Sequence, residues 1–140
     1  MNQQQQIIQT MLATPVKGFV AKRFFHVTAP ERHAENILAR LDADEKFYSF
    51  ILLPNSKKQT VEALICTNRR VILWHNEFAE DEEIVLADIE SMRLEKGWLS
   101  GTLHLVVRKL ADKTENRKFK CETEIISAFH QALDMAKAKP

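Results

Sequence analysis

Residues 61–75, VEALICTNRRVILWH, decide the fold, because a short polar turn divides two apolar stretches. VEALICT places apolar residues at every second position, which is the period of a β-strand. Asn68 and Arg69 follow as a tight turn, since asparagine tolerates left-handed backbone and bonds its own main chain. RVILWH leads back with apolar residues on both faces, which predicts a strand that is central or covered on both sides. The stretch is therefore a β-hairpin.

Further strands are predicted on either side of this hairpin. Residues 47–53 are apolar and aromatic, and Pro54-Asn55-Ser56 ends them. Downstream, IVLADIESM gives a short strand over residues 84–86 and a less regular one over 89–94, where a bulge is plausible. Residues 97–101, bounded by Gly97 and Gly101, form the next turn. With residues 103–108 and a last strand that carries Phe119 and Cys121, the count is about seven.

The C-terminal segment TEIISAFHQALDMA is predicted to be a helix. Its apolar residues recur at helical spacing and form one stripe, with Phe129 placed to plug the open end of a barrel. The predicted fold class is mainly β with α. It is a barrel of about seven antiparallel strands capped by a C-terminal helix and preceded by an N-terminal helical extension.

Residues 1–42 differ in character and are predicted to be that extension, while residues 43–140 form the barrel domain. Ile7, Ile8 and their neighbours keep helical spacing, and residues 30–41 form a second helix that begins at a proline. The basic and apolar segment FVAKRFFHV lies between the two. It either lies on a membrane surface as an amphipathic stretch or packs on the barrel and covers a sheet edge.

Composition bounds the class of protein. A chain of 140 residues with 45% apolar residues is enough for one domain with a sizeable core. The formal charge of +1 argues against a dedicated nucleic-acid binder, which is usually strongly basic. Two cysteines without metal-ligand spacing fit a reducing compartment. With no apolar run of spanning length, a cytoplasmic protein without cofactor is expected.

The strand pattern and two motifs resemble the bacterial pleckstrin-homology-like (PH-like) domains. The matching stretches are ICTNRRVI at residues 65–72 and IVLADIES at residues 84–91, and the resemblance covers roughly residues 43–138. It implies a seven-stranded, strongly bent antiparallel barrel capped by one helix. It also implies a binding and scaffolding module without enzymatic activity that often forms homo-oligomers.

Basic residues on two turns are the first candidate binding site. Lys57 and Lys58 occupy the loop where related eukaryotic domains that bind inositol phosphates carry basic residues, but the next strand lacks the second arginine. Together with Arg69 and Arg70 they form a candidate site for an anionic head group or an acidic peptide. The alternative is two ordinary exposed basic turns.

Trp98 and Leu99 are the second candidate, because they occupy a hairpin tip between two glycines. An apolar tip indicates a contact, either with the protein's own N-terminal helix or with a partner or membrane. Trp74, in contrast, is expected in the core.

Catalytic signatures are weak. The five histidines are scattered, and the three glycines cannot form a phosphate cradle. Cys66 with His75 or His104 is the nearest approach to a nucleophile–base pair, without an activating third residue. The sequence therefore predicts a non-enzymatic module for protein–protein interaction or self-assembly. The alternative is a peripheral membrane adaptor that binds anionic lipid head groups through the basic turns and the N-terminal segment.

Overall fold

The computed structural model describes residues 2–13, 30–53, 61–75 and 80–138. Side chains at residues 10–13, 30–33 and 62 are outside this description. The elements are α1 (Gln3–Ala13), α2 (Pro30–Leu38), β1 (Phe47–Leu52), β2 (Val61–Thr67), β3 (Arg70–His75), β4 (Glu82–Val85), β5 (Ile89–Lys96), β6 (Ser100–Arg108), β7 (Thr114–Glu122) and α3 (Thr123–Ala138).

The strands form two antiparallel sheets. The first has the order β1-β2-β3-β4 and the second the order β5-β6-β7. A single 3-10 turn, Leu86–Asp88, carries the chain from the first sheet to the second. The prediction of about seven antiparallel strands and a C-terminal helix is confirmed in the described residues. The strands form two sheets and not a closed barrel, because β4 and β5 belong to different sheets. The bulge predicted in β5 is present between Ile89 and Ser91.

Two element boundaries differ from the prediction. The α2 helix ends at Leu38, three residues before the expected end. The strand predicted over residues 84–86 begins two residues earlier, so β4 includes Glu82 and Glu83, which pair with Leu73 and Ile72. The edge position explains the second difference, since a strand that is free on one side keeps charged side chains in solvent.

The main core lies between the inner faces of the two sheets. It includes Leu64, Leu73, Leu103 and Leu105, each no more than 1% exposed. The helix α3 closes this core, and Phe129 is fully buried in it, as predicted. Lys137 fastens the end of the helix by donating to the carbonyl oxygens of Leu86 and Ile89.

A second core covers the outer face of the first sheet. Ile7 of α1 and Ile37 of α2 are fully buried there against Phe50, Ile65 and Ile72. The β3 strand is therefore covered on both sides, which is what its two apolar faces predicted. The segment FVAKRFFHV lies outside the described residues. No described helix is long and apolar enough to cross a membrane.

Candidate functional site

The β2–β3 turn is built by Thr67 and Asn68. The Thr67 hydroxyl accepts the backbone N–H groups of Arg69 and Arg70, both at 3.1 Å. Asn68 donates its N–H to the Lys46 carbonyl and accepts the Lys46 N–H on its side-chain oxygen. The turn is therefore fixed to the segment before β1. The side chains of Arg69 and Arg70 reach carboxylates in that segment.

Arg70 binds a buried carboxylate. Its Nε and Nη2 atoms donate to the two oxygens of Glu45, both at 2.9 Å, and the Glu45 side chain is 0% exposed. Nη2 also donates to the Arg40 carbonyl, and Nη1 donates to Glu83 at 2.8 Å. The Thr67 hydroxyl donates to Glu45 at 2.6 Å. The guanidinium thus has a carboxylate or carbonyl partner at each nitrogen.

The hydrogen bonds around Glu45 determine its pKa. Burial by itself would raise the pKa of Glu45. The hydrogen bonds from Arg70, Thr67 and the Asp42 N–H, together with the charge of Arg70, instead lower the pKa to about 2. The hydrogen bonds that Arg70 donates to Glu45, with a further one to Glu83, raise the pKa of Arg70 against the opposing effect of burial. Both groups therefore stay charged at neutral pH.

Arg69 and Arg40 are also paired with carboxylates. Arg69 contacts Asp44 and lies 3.7 Å from Asp42, while Arg40 contacts Asp81 at 2.7 Å. A shallow cleft of about 260 Å³ lies beside Arg70, and its lining is mixed in sign, with Asp81, Glu82 and Glu83 among the residues. The two turn arginines thus face carboxylates. Lys57 and Lys58 lie outside the described residues.

The β5–β6 hairpin tip, residues 97–101, carries apolar side chains, in contrast to the charged side chains of the β2–β3 turn. The Gly97 N–H donates to the Ser100 carbonyl at 2.9 Å, and the Thr123 hydroxyl donates to the Gly97 carbonyl at 2.9 Å. At Gly101, an added Cβ would lie 2.9 Å from Ile126 Cγ2 and 3.3 Å from the Glu95 carbonyl oxygen. The tip therefore rests directly on the start of α3.

Trp98 and Leu99 project from this tip into solvent. Their exposed fractions are 93% and 73%. Neither of the described N-terminal helices, α1 and α2, buries these two side chains. Trp74 differs, being half-buried, with the Arg40 guanidinium 4.1 Å from its ring centroid and Phe50 at 6.2 Å. It belongs to the second core and not to the main one.

The described candidate residues do not form one site. Arg69 and Arg70 lie at a turn between strands of the first sheet, and Trp98 and Leu99 lie at a turn between strands of the second. No hydrogen bond or ion pair in the described part of the chain joins them. Sequence reasoning missed Glu45, the partner of Arg70, because a lone glutamate twenty-five positions away carries no local signal.

In the described part of the chain, no hydrogen bond joins Cys66 to His75 or to His104, the two histidines considered as its base. Cys66 pairs with Val71 across the β2–β3 ladder, whereas His75 pairs with Val61 at its far end. Burial raises the pKa of the Cys66 thiol to about 12, and it raises that of Cys121 to about 11. Both thiols are free and buried. Among the described residues, no group of three or more His, Cys, Asp or Glu side chains could hold a metal ion.

Comparison with solved structures identifies the fold. The Vps36 N-terminal PH domain superposes with a TM-score of 0.56 over 70% of this chain and 83% of that one. The fold is PH-like. Sequence identity with this domain is 19%, so the likeness extends to the fold alone. No family model matches the chain, and no curated protein matches it either.

Proposed function

We propose that the chain is a non-enzymatic, cytoplasmic PH-like module that binds a protein partner, or a second copy of itself, through the β5–β6 hairpin tip. The observation that carries this proposal is the 93% exposure of Trp98. Tryptophan is the residue most enriched among binding hot spots, and burying one removes about 150–250 Å² from water. The two free thiols are consistent with a reducing compartment.

The support of the tip favours binding. Trp98 and Leu99 are adjacent, and the hydrogen bond from Thr123 and the close approach at Gly101 connect their hairpin to α3. A preorganised anchor loses little conformational freedom when it enters a partner's pocket. The TNRR and LADIE stretches support a place among the bacterial PH-like domains, whose members are binding and scaffolding modules.

The β2–β3 turn offers less for a ligand. An anion that binds Arg70 has to compete with Glu45 and Glu83, which already occupy the guanidinium at 2.8–2.9 Å. Breaking a desolvated pair of this kind costs several kcal/mol. The membrane adaptor therefore stays the alternative and rests on residues outside those described, Lys57, Lys58 and the segment FVAKRFFHV.

Photo-crosslinking from the tip tests the proposal. Trp98→p-benzoylphenylalanine is made in the full chain, expressed in the source cells and irradiated, and the adducts are identified by mass spectrometry. The expected result is a discrete protein adduct, either another protein or a second copy of the chain. Leu110→p-benzoylphenylalanine is the matched control, because Leu110 is 91% exposed on the β6–β7 hairpin.

The outcomes separate the alternatives. An adduct at position 98 that is absent at position 110 supports the tip as the binding site. A lipid adduct at position 98 supports the membrane adaptor instead. Equal adducts at both positions, or none at position 98, overturn the proposal, because the tip then has no preferred partner.

A further inference from the structure

The outer faces of the two sheets differ in what covers them. The first sheet has an apolar outer face beneath α1 and α2. The second sheet presents polar side chains outward, and no described helix covers them. A shallow cleft of about 590 Å³ lies on that face and is lined by Ser91, Arg93, His104, Val106, Asn116 and Lys118, among others. This uncovered face is a second candidate surface, separate from the hairpin tip.

A row of basic side chains crosses this face. Arg93 pairs with His104 across β5 and β6, and His104 pairs with Lys118 across β6 and β7. Directly paired residues of antiparallel strands have Cβ atoms about 5 Å apart, so these groups are neighbours. Lys120 is two residues beyond Lys118 on the same face of β7. We call Arg93, His104, Lys118 and Lys120 the basic strip.

Part of the strip already has a carboxylate neighbour within the chain. Glu95 lies 3.3 Å from Arg93 and 3.7 Å from His104. Lys118 and Lys120 have no carboxylate within ion-pair distance among the described residues. They contrast with Arg69 and Arg70, which both have one. The strip therefore keeps two cations on β7 that an external anion can approach without displacing an internal one.

We infer that the basic strip binds an acidic, extended segment of a protein partner. Alternate residues of a strand lie about 6.8 Å apart, and so do alternate side chains of an extended peptide. Lys118 and Lys120 have this spacing, which fits carboxylates two positions apart in one segment. Ser91 and Asn116 add neutral hydrogen-bonding groups along the cleft. The inference goes beyond the proposed function, because the strip is a surface separate from the hairpin tip.

The surrounding charges favour a peptide over other polyanions. Glu95 lies within the face, and Glu122 lies at the end of β7. These carboxylates repel a continuous row of phosphates, as in nucleic acid, more than a peptide with a few acidic side chains. A concave cleft also fits an extended chain better than a flat bilayer surface.

Fluorescence anisotropy of the full chain with a short rhodamine-labelled peptide of alternating threonine and glutamate tests this inference. A peptide of the same composition, with its glutamates in one block, controls for net charge. The alternating peptide is expected to bind more tightly. Lys118→Glu is expected to weaken it about fivefold, since one exposed pair is lost and a repulsion is added. Lys113→Glu makes the same charge change in the β6–β7 hairpin and should change the affinity less than about twofold.

Several results would overturn the inference. One is equal affinity for the two peptides, and another is an equal loss in the two lysine variants. Two competing anions are also tested: vesicles of phosphatidylcholine with about 30% phosphatidylglycerol, and single-stranded DNA. If either binds through Lys118 more tightly than the peptide does, the partner is a membrane or a nucleic acid and not a protein segment. The peptide probe has no apolar residue, and its binding is measured separately from the photo-crosslinking at position 98. Failure of the strip is thus distinguishable from failure of the hairpin tip.

Discussion

The β2–β3 turn and the β5–β6 hairpin tip are both short connections between antiparallel strands, yet they treat their side chains in opposite ways. At the turn, Arg69 and Arg70 face carboxylates, and Glu45 is fully buried beneath them. At the tip, Trp98 and Leu99 contact little of the protein, and backbone bonds hold the loop. The charged side chains of the turn therefore stabilise the fold, whereas the apolar side chains of the tip contribute little packing within the described chain.

The difference follows from the costs of exposure and burial. A charged side chain on a turn is stable in water, so its presence there says little about function. A tryptophan left in water gives up the gain of burial, about 25 cal/mol per Å² of apolar surface. For this reason, the exposed apolar pair is the stronger indication of a partner than the two arginines.

Removing Glu45 is expected to have the largest effect on the β2–β3 turn. Glu45→Ala leaves the Arg70 guanidinium and the Thr67 hydroxyl without their buried acceptor. We expect the free energy of unfolding to fall by about 3 kcal/mol, measured by urea denaturation. Asp44→Ala is the control, because Asp44 is a 72% exposed partner of Arg69, and should cost less than about 0.5 kcal/mol. Equal effects would mean that the buried pair is no more important than the surface one.

The second largest effect is expected from acid, which should lower the free energy of unfolding through Glu45. The pKa of Glu45 is about 2 in the folded chain, against its ordinary value of 4.5. Its contribution is complete at neutral pH and is lost as the pH falls from about 4.5 towards 2, because the unfolded chain takes up the proton first. Glu45→Gln removes this titration. Between about pH 5 and pH 2.5 the unfolding free energy of the variant should therefore fall by about 2 kcal/mol less than that of the wild type. Parallel pH profiles for the variant and the wild type would contradict the hydrogen-bonded ion pair between Glu45 and Arg70.

The two regions also differ in how far the sequence predicted them. The hairpin tip was recognised because its signal is local, with Gly97 and Gly101 on either side of two apolar residues. The network at the turn was not, since Glu45 reaches Arg70 only after β1 and β2 have paired. The register of a sheet decides such partners, and a single sequence does not display it.

The same reasoning applies to the sheets. The pattern of residues 103–108 predicts a strand, but it does not show that His104 pairs with Lys118 of β7. The two apolar faces of β3 predicted a cover on both sides, yet they did not say that Ile7 and Ile37 supply it. Local patterns thus predicted strands, turns and faces, and the pairing of distant segments added the partners.

A methyl group at Gly101 should disturb the support of the tip. The added Cβ of Gly101→Ala would meet Ile126 at 2.9 Å and the Glu95 carbonyl at 3.3 Å. Moving the α3 side chain away is expected to cost about 1–2 kcal/mol in unfolding free energy. Ser100→Ala, next to it in β6, should cost less than about 0.5 kcal/mol. An unchanged stability for Gly101→Ala would show that the hairpin does not rest on α3.

The smallest effect on stability is expected at Trp98. A side chain that is 93% exposed contributes little to the folded state, so Trp98→Ser should change the free energy of unfolding by less than about 0.5 kcal/mol. Association should respond in the opposite way, with the complex captured through the tip lost or strongly weakened. Urea denaturation and light scattering of the same preparations measure the two quantities side by side.

The second tryptophan is the internal control for this separation. Trp74→Ser removes a half-buried ring that packs against Phe50 and beneath Arg40, and it should cost about 3 kcal/mol. If both variants lose stability to a similar extent, Trp98 is packed in solution, and the contrast between a structural turn and a binding tip fails. If Trp98→Ser stays folded and loses its partner while Trp74→Ser loses stability, the two tryptophans have separate roles. One then holds the cover on the first sheet, and the other holds a partner to the second.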